Sequence, residues 1–342
     1  MQRVSVVPSD RTDAQELLTQ QVFGVLADGA SHSAEQLASL HSVSPGAIRQ
    51  AVSALKDLGL SIQAAPDRSY RLSAPLSPLD AARIERQLSP ALRERLRYGE
   101  VRWMLPSTNS ELLGNAAPPI GEFDFLLAEH QSAGRGRRAR PWFAPPGGAL
   151  CLSIGWSYAA LPRGVSALSL AVGVCALRAL RAHANLSVQL KWPNDLIARG
   201  RKLGGILIES RTESAGAAHV VIGVGINCAL GAALTSRVQD SGTEATDLMA
   251  LGALALDRNH LAASLLSEIL SGVMEFERSG LASFAAQWSE ADALIGRTVR
   301  LSLPDAECIG VARGIDADGA LCVEVDGVVR GFHSGDVSVR AT

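Results

Sequence analysis

The sequence predicts a multidomain α/β (α+β) chain with a small helical unit and hairpin, a central mixed sheet with helices, and a terminal run of short strands. Three observations predict it. Residues 13–72 carry two short amphipathic stretches joined by a tight turn, followed by alternating apolar residues around Pro66-Asp67. Residues 100–290 alternate strand-like and helix-like segments, several strands following one another without a helix between them, which points to a mixed sheet with helices on one side. From Thr298 to Arg340 the pattern is all β, punctuated by Gly310, Gly314, Asp318-Gly319 and Asp326-Gly327, as in a small closed or nearly closed barrel. The expected boundaries are 1–75, 76–293 and 294–342, with the Pro/Ser-rich joint SAPLSPLD at 73–80.

In the first region Asp13 is expected to cap a helix ended by Asp28-Gly29. Ser33 with Gln36 has capping-box spacing, and Ser44 followed by Pro45 starts the next helix, with Ile48, Val52 and Leu55 inward. The pair reads as a helix-turn-helix, and SIQAAPDRSYRL as a wing hairpin. Ser44, Arg49 and Gln50 are the residues placed to meet DNA. Over residues 1–75, however, six basic side chains face seven acidic ones, a weak footprint for a DNA reader, so a domain kept for structure alone stays open. Residues 81–98 read as one helix with Arg and Glu alternating on the wet face. Farther on, VRWML, FDFLLAEHQ, ALCLSIGW, LSVQLKW, KLGGILIES and AAHVVIGVGI read as strands, and 163–183, 258–278 and 281–292 as helices.

Bulk composition narrows the function. The 342 residues are 47% hydrophobic and 19% charged with a formal net charge of −2, which marks the whole chain as neither a nucleic-acid nor a membrane-surface binder. The apolar run near 165–180 is cut by Gly173 and ends in arginines, so a buried helix accounts for it. The N-terminus lacks an apolar signal core, and a cytoplasmic location is expected. Five scattered cysteines and seven histidines show no zinc spacing, so no protein-ligated metal is expected.

Four strings can carry chemistry. In HQSAGRGRRARPW, residues 130–142, glycines let backbone approach a ligand and arginines supply planar, permanent donors for phosphate or carboxylate. The same string also suits a basic surface patch or an RNA contact. KWPNDL, residues 191–196, places Lys191 at a strand end above a Pro-Asn-Asp turn, which would equally serve as a plain connection. RKLGGILIE and GVGIN set glycines beside buried strands, where missing side chains admit a ligand or simply another backbone. PSTNSE offers Ser107, Thr108 and Asn109 as helix caps or as polar contacts. There is no Walker A sequence and no Rossmann fingerprint, so a bound nucleotide would be held by other means.

Taken in order, PSTN, GRGRRARPW, KWPNDL, KLGGILIE and GVGIN resemble the biotin–protein ligases, most of all the bifunctional bacterial type that is also the biotin-operon repressor. The likeness extends over nearly the whole chain. It implies a central domain related to class II aminoacyl-tRNA synthetases and lipoate ligases, and an SH3-like last domain whose Arg330 and Arg340 region helps to bind carrier or nucleotide. It implies biotin and ATP as substrates with Mg²⁺, and a biotin carboxyl carrier protein as acceptor. Operator DNA and a homodimer are implied for the repressor role. By resemblance Ser107, Thr108, Asn109, Gln131, Arg135, Gly136, Arg137, Lys191, Gly204, Gly205 and Asn227 form the biotin and adenylate site, Lys191 and Arg137 being catalytic. The loop at 134–140 is then expected to order over the adenylate. Pro106 and Ala139 depart from the family, which often has an acidic residue and a third glycine there. A lipoate-type ligase and a non-catalytic biotin-sensing regulator are the alternatives.

Overall fold

The computed structural model describes residues 11–162, 164–183, 186–212, 217–231, 244–253, 256–303, 307–333 and 338–341. The first unit is built from α1 (Arg11–Leu26), α2 (Ala34–Leu40) and α3 (Pro45–Asp57), with β1 (His32–Ser33), β2 (Ile62–Ala64) and β3 (Ser69–Leu72) in a sheet of order β1-β3-β2. Local chemistry sets its boundaries. Ser33 Oγ accepts from the Gln36 N–H while Gln36 Oε1 accepts from the Ser33 N–H, so the capping box is formed. Ser44 caps α3 and Pro45 occupies its first turn. Asp13 is not a cap, because α1 already begins at Arg11.

Residues 81–98 are not one helix. They divide into α4 (Ala81–Gln87) and α5 (Pro90–Arg95), and the chain then enters β4 (Leu96–Leu105), five residues earlier than the sequence suggested. Pro90 disfavours a helical Ser89, which turns extended and caps α5 instead.

The central sheet has seven strands in the order β4-β5-β6-β10-β9-β8-β7. After β4 come α6 (Thr108–Gly114), β5 (Phe123–Gln131), β6 (Ala149–Tyr158) and α7 (Leu168–His183). Next are β7 (Val188–Lys191), β8 (Asp195–Ala198), β9 (Arg201–Thr212), β10 (Ala218–Asn227), α8 (Arg258–Ser279) and α9 (Ala285–Ala291). The β4–β5 pair is parallel and the other neighbours antiparallel, so the sheet is mixed, as read. The helices expected from 163 and 281 begin as 3-10 turns, Val165–Ala167 and Gly280–Phe284. The apolar run Val165–His183, long enough for a membrane by composition, forms α7 inside the core against the sheet and α8. Its Leu168, Val174, Leu177 and Leu180 are all buried, each worth about 1.5–3 kcal/mol relative to exposure.

The last unit is an antiparallel sheet, β11 (Thr298–Ser302), β12 (Glu307–Ile315), β13 (Leu321–Val325), β14 (Val328–Phe332) and β15 (Ser338–Ala341), ordered β14-β13-β12-β11-β15. Among the described residues β14 and β15 do not pair, so they form its edges. It is joined to the central sheet at the end of β7. Leu190 accepts from the Ala293 N–H at 2.8 Å, and Trp192 Nε1 donates to Gly319 O at 3.0 Å.

Candidate functional site

The open face of the central sheet owes its groove to alternation. Gly225 of β10 pairs with Gly205 of β9 and Cys151 of β6, and two residues along, Gly223 pairs with Leu207 and Ser153. Cross-strand partners share a face, so Gly205, Gly223 and Gly225 clear one floor. Larger groups from outside the sheet lie on that floor. A Cβ on Gly223 would collide with the Asn109 amide, and one on Gly225 would come within 2.6 Å of the Trp142 ring. Gly204, one residue off this alternation, faces the other side, where a Cβ would meet Gly225 O and the Ile226 and Leu196 side chains. The expected role of Gly204 in the site is therefore corrected: it lets the sheet pack.

Over the floor lies a cavity of about 630 Å³, within the range of small-molecule sites. Of the residues singled out from the sequence, Ser107, Thr108, Asn109, Gln131, Arg135, Gly136, Arg137, Lys191, Gly205 and Asn227 all line it. One wall is neutral and hydrogen-bonded. Gln131 Oε1 accepts from the Thr108 N–H at 2.8 Å and from Thr108 Oγ1 at 3.1 Å. Ser153 Oγ lies 2.7 Å from Thr108 Oγ1 and 2.6 Å from Asn109 Oδ1. Ser107 caps α6 as read, its side chain accepting from the Ser110 N–H. With Ser107, Thr108, Asn109 and Gln131 all buried, this wall is pre-ordered for a neutral polar group.

The rest of the wall is cationic. Arg135, Arg137, Arg138, Arg140, Lys191 and Lys202 line the cavity against the carboxylates Asp195 and Glu244. Lys202 Nζ pairs with Asp195 at 2.6 Å and Arg135 with Glu209 at 3.3 Å. Arg137 is a partly buried charge. Burial, with the like charges of Arg138 and Arg140, lowers its affinity for the proton, partly offset by Asp195. An anion in the cavity would relieve it. The segment closes over the floor through Trp142, whose backbone N–H donates to Gly134 O at 2.8 Å and whose ring packs on Ala144, Ala149 and Cys151. Arg138 and Ala139 hold φ near 57° and 55°, in the left-handed region.

Lys191 is set at the end of β7 by the turn that follows. Asn194 Nδ2 donates to Ile206 O at 2.6 Å, and Asn194 O accepts from the Ile206 N–H at 2.9 Å. Asn227 donates to Thr246 O at 3.0 Å and ties β10 to the 244–246 segment. Burial pushes the Cys151 thiol up to about 12, so it is no nucleophile at neutral pH. Lys202, Asp195 and Glu244 were not singled out from the sequence as site residues; for Lys202 the signal was its place beside the Gly204-Gly205 pair. Ser44, Arg49 and Gln50 lie far along the chain from this cavity and are exposed on the outer side of α3 and its cap. Of the pair in the last unit, Arg330 is exposed on β14 and does not line the cavity, while the side chain of Arg340 lies outside the described residues.

Comparison with known proteins gives a consistent result. Residues 122–227 match the model of the biotin/lipoate A/B protein ligase family, and 294–340 that of the biotin protein ligase C-terminal domain. The bifunctional ligase/repressor BirA of Salmonella typhimurium is 38% identical over 94% of this chain and 97% of its own. The biotin–[acetyl-CoA-carboxylase] ligase of Mycobacterium tuberculosis is 37% identical over 76% of this chain and 95% of its own. Among solved structures, the Aquifex aeolicus biotin protein ligase in complex with biotin and ATP covers 72% of this chain and 100% of its own, with TM-score 0.60 and 22% identity, a likeness of fold. On sequence relatives matched almost end to end, the chain belongs to the biotin protein ligase family.

Proposed function

We propose that this chain activates biotin with ATP and transfers it to a lysine of a biotin carboxyl carrier protein. The observation that carries the reading is one cavity with a neutral hydrogen-bonded wall and a surplus of cations. A neutral ring system fits the Thr108–Gln131 side, and a carboxylate meeting a triphosphate needs the other. In the first step a biotin carboxylate oxygen attacks the α-phosphorus, the bond to the β-phosphate breaks, and pyrophosphate leaves. Lys191 and Arg137 reduce the repulsion between the two anions and stabilise the charge that builds up in the transition state. In the second step the amine of the carrier lysine attacks the acyl carbon of biotinyl-adenylate, AMP leaves and the amine loses a proton. With the cavity thiol held protonated, no enzyme-bound acyl group is required.

Among the described residues no cluster of three His, Cys, Asp or Glu side chains could hold a metal by itself. The donor set fits a Mg²⁺ that arrives with the nucleotide, with Asp195 or Glu244 adding a carboxylate and the ion supplying charge neutralisation when bound.

The same reading gives the chain a second role, as a biotin-responsive repressor. Two relatives matched over 94% of this chain carry a repressor name, and α3 presents Arg49 and Gln50 outward beside the hairpin β2–β3. The first unit then acts as a winged helix-turn-helix on a two-fold operator, the chain binding as a homodimer, and the last unit acts as an SH3-like domain.

The test incubates the protein with labelled biotin, ATP, Mg²⁺ and an apo carrier domain, followed by a gel shift on a biotin-operator-like duplex. Label on the carrier lysine is expected; none in the presence of a folded protein refutes the ligase. Lys191→Ala is expected to slow adenylate formation by about 10²–10³-fold with an unchanged circular dichroism spectrum. Near-normal turnover by that variant would remove Lys191 from the mechanism.

A further inference from the structure

We propose that Glu209 is a positioning residue for the biotin side of the cavity: its carboxylate orients Asn109, ties down Arg135 of the glycine-rich segment, and so sets how long the acyl-adenylate is retained. The inference rests on the ligase reading above. Glu209 projects from β9 and is not part of the cavity wall, so it acts through other residues. Its Oε2 accepts from Asn109 Nδ2 at 3.0 Å, and its Oε1 lies 3.3 Å from Arg135 Nη2, which also donates to Ser110 Oγ at 2.7 Å. One carboxylate thus joins the first turn of α6 to a segment more than twenty residues away in sequence.

The consequence for Asn109 is orientational. Its amide nitrogen also donates to Leu207 O at 3.1 Å, and its Oδ1 accepts from Ser153 Oγ at 2.6 Å. A flipped amide would set its oxygen against both the Glu209 carboxylate and a backbone carbonyl, so the carboxylate, with that carbonyl, selects one of the two amide rotamers. Asn109 rests on bare Gly223 backbone, where no side chain could hold it instead. The consequence for Arg135 is electrostatic. Its charge is engaged by Glu209 at the cavity rim, which makes it an anchor for the segment. Arg135 still lines the cavity expected to hold biotin and its adenylate, and this ion pair adds an anchoring part.

The test uses the full chain, loaded with labelled biotin and ATP, freed of excess nucleotide and chased with unlabelled biotin. Glu209→Gln keeps the shape and one acceptor oxygen but loses the ion pair, which is partly exposed, so adenylate release is expected to quicken by about threefold. Glu209→Ala also loses the charged acceptor for Asn109, and release is expected to quicken by about tenfold or more. KM for biotin should rise in step while KM for ATP and the thermal midpoint stay near wild type, a split that a purely structural defect would not produce. Arg135→Gln should reproduce the Glu209→Gln effect, and the double variant should add nothing to either. If Glu209→Ala fails to fold, Glu209→Gln and Arg135→Gln still decide the matter. Wild-type retention in these variants, or equal rises in both KM values, overturns the inference while leaving the ligase intact. A wild-type chain that forms no labelled adenylate would count against the ligase reading instead.

Discussion

Replacing Glu129 with glutamine would leave a cation stranded in the protein interior, and the cost can be worked from its contacts. Arg258 at the start of α8 is 2% exposed and Glu129 at the end of β5 is 6% exposed. Arg258 Nη2 reaches both carboxylate oxygens, at 2.9 and 2.8 Å, while Nε and Nη1 donate to Ser77 O at 3.0 Å and Ala149 O at 3.1 Å. Glu129 also accepts from the Leu79 N–H at 2.6 Å and the Gly147 N–H at 3.1 Å. The pair therefore fastens the joint between the first two units to the sheet. Glutamine has nearly the same size, but it removes the charge and turns one acceptor into a donor facing donors. Breaking a buried pair from one side costs about 3–5 kcal/mol. For a domain of roughly 150–250 residues, at about 2–4 °C per kcal/mol, the thermal midpoint should fall by about 6–20 °C. Urea unfolding followed by tryptophan fluorescence measures the loss. The double replacement Glu129→Leu with Arg258→Met should not recover it, since the Leu79 and Gly147 N–H groups and the Ser77 and Ala149 carbonyls would then lose their partners. A Glu129→Gln variant within about 1 kcal/mol of wild type would refute the reasoning, because a surface pair behaves that way and a dry one does not.

Two further outcomes follow from the glycine floor and the segment above it. Gly225→Ala puts a methyl group 2.6 Å from the Trp142 ring, and at about 1–3 kcal/mol of overpacking the unfolding free energy in urea should fall by that amount or the ring should leave the floor, read as a change in tryptophan fluorescence; wild-type stability with an unchanged spectrum would mean that the ring does not seat there. Ala139→Gly relieves a residue held at φ 55°, so it should leave stability unchanged or raise it by up to about 1 kcal/mol, whereas the same exchange at Ala176 inside α7 should lower it by about 1 kcal/mol; equal losses at both positions in a thermal melt would contradict the left-handed assignment.

What the sequence determined by itself was whatever depends on neighbours a few residues apart. The Ser33–Gln36 box and the Ser44-Pro45 start of α3 could be read because a cap and its helix lie within one turn. The strands of the central sheet were legible from their apolar runs, while the cavity residues from Ser107 to Asn227 came from the ordered set of strings that resembles the biotin–protein ligases. The misreadings also have local causes: one polar-apolar pattern ran through Ser89-Pro90 and hid the break between α4 and α5. Only the tertiary structure decided which of two adjacent glycines faces the ligand. Strand alternation sends Gly205 to the cavity and Gly204 to the packed side, and the register with β10 that sets this is a contact between distant segments. The same is true of the partners of Arg135 and of Glu129, which lie 74 and 129 residues away. A charge written in a string has no direction; packing gives it one, because in the dry interior each cation must be brought to a particular carboxylate.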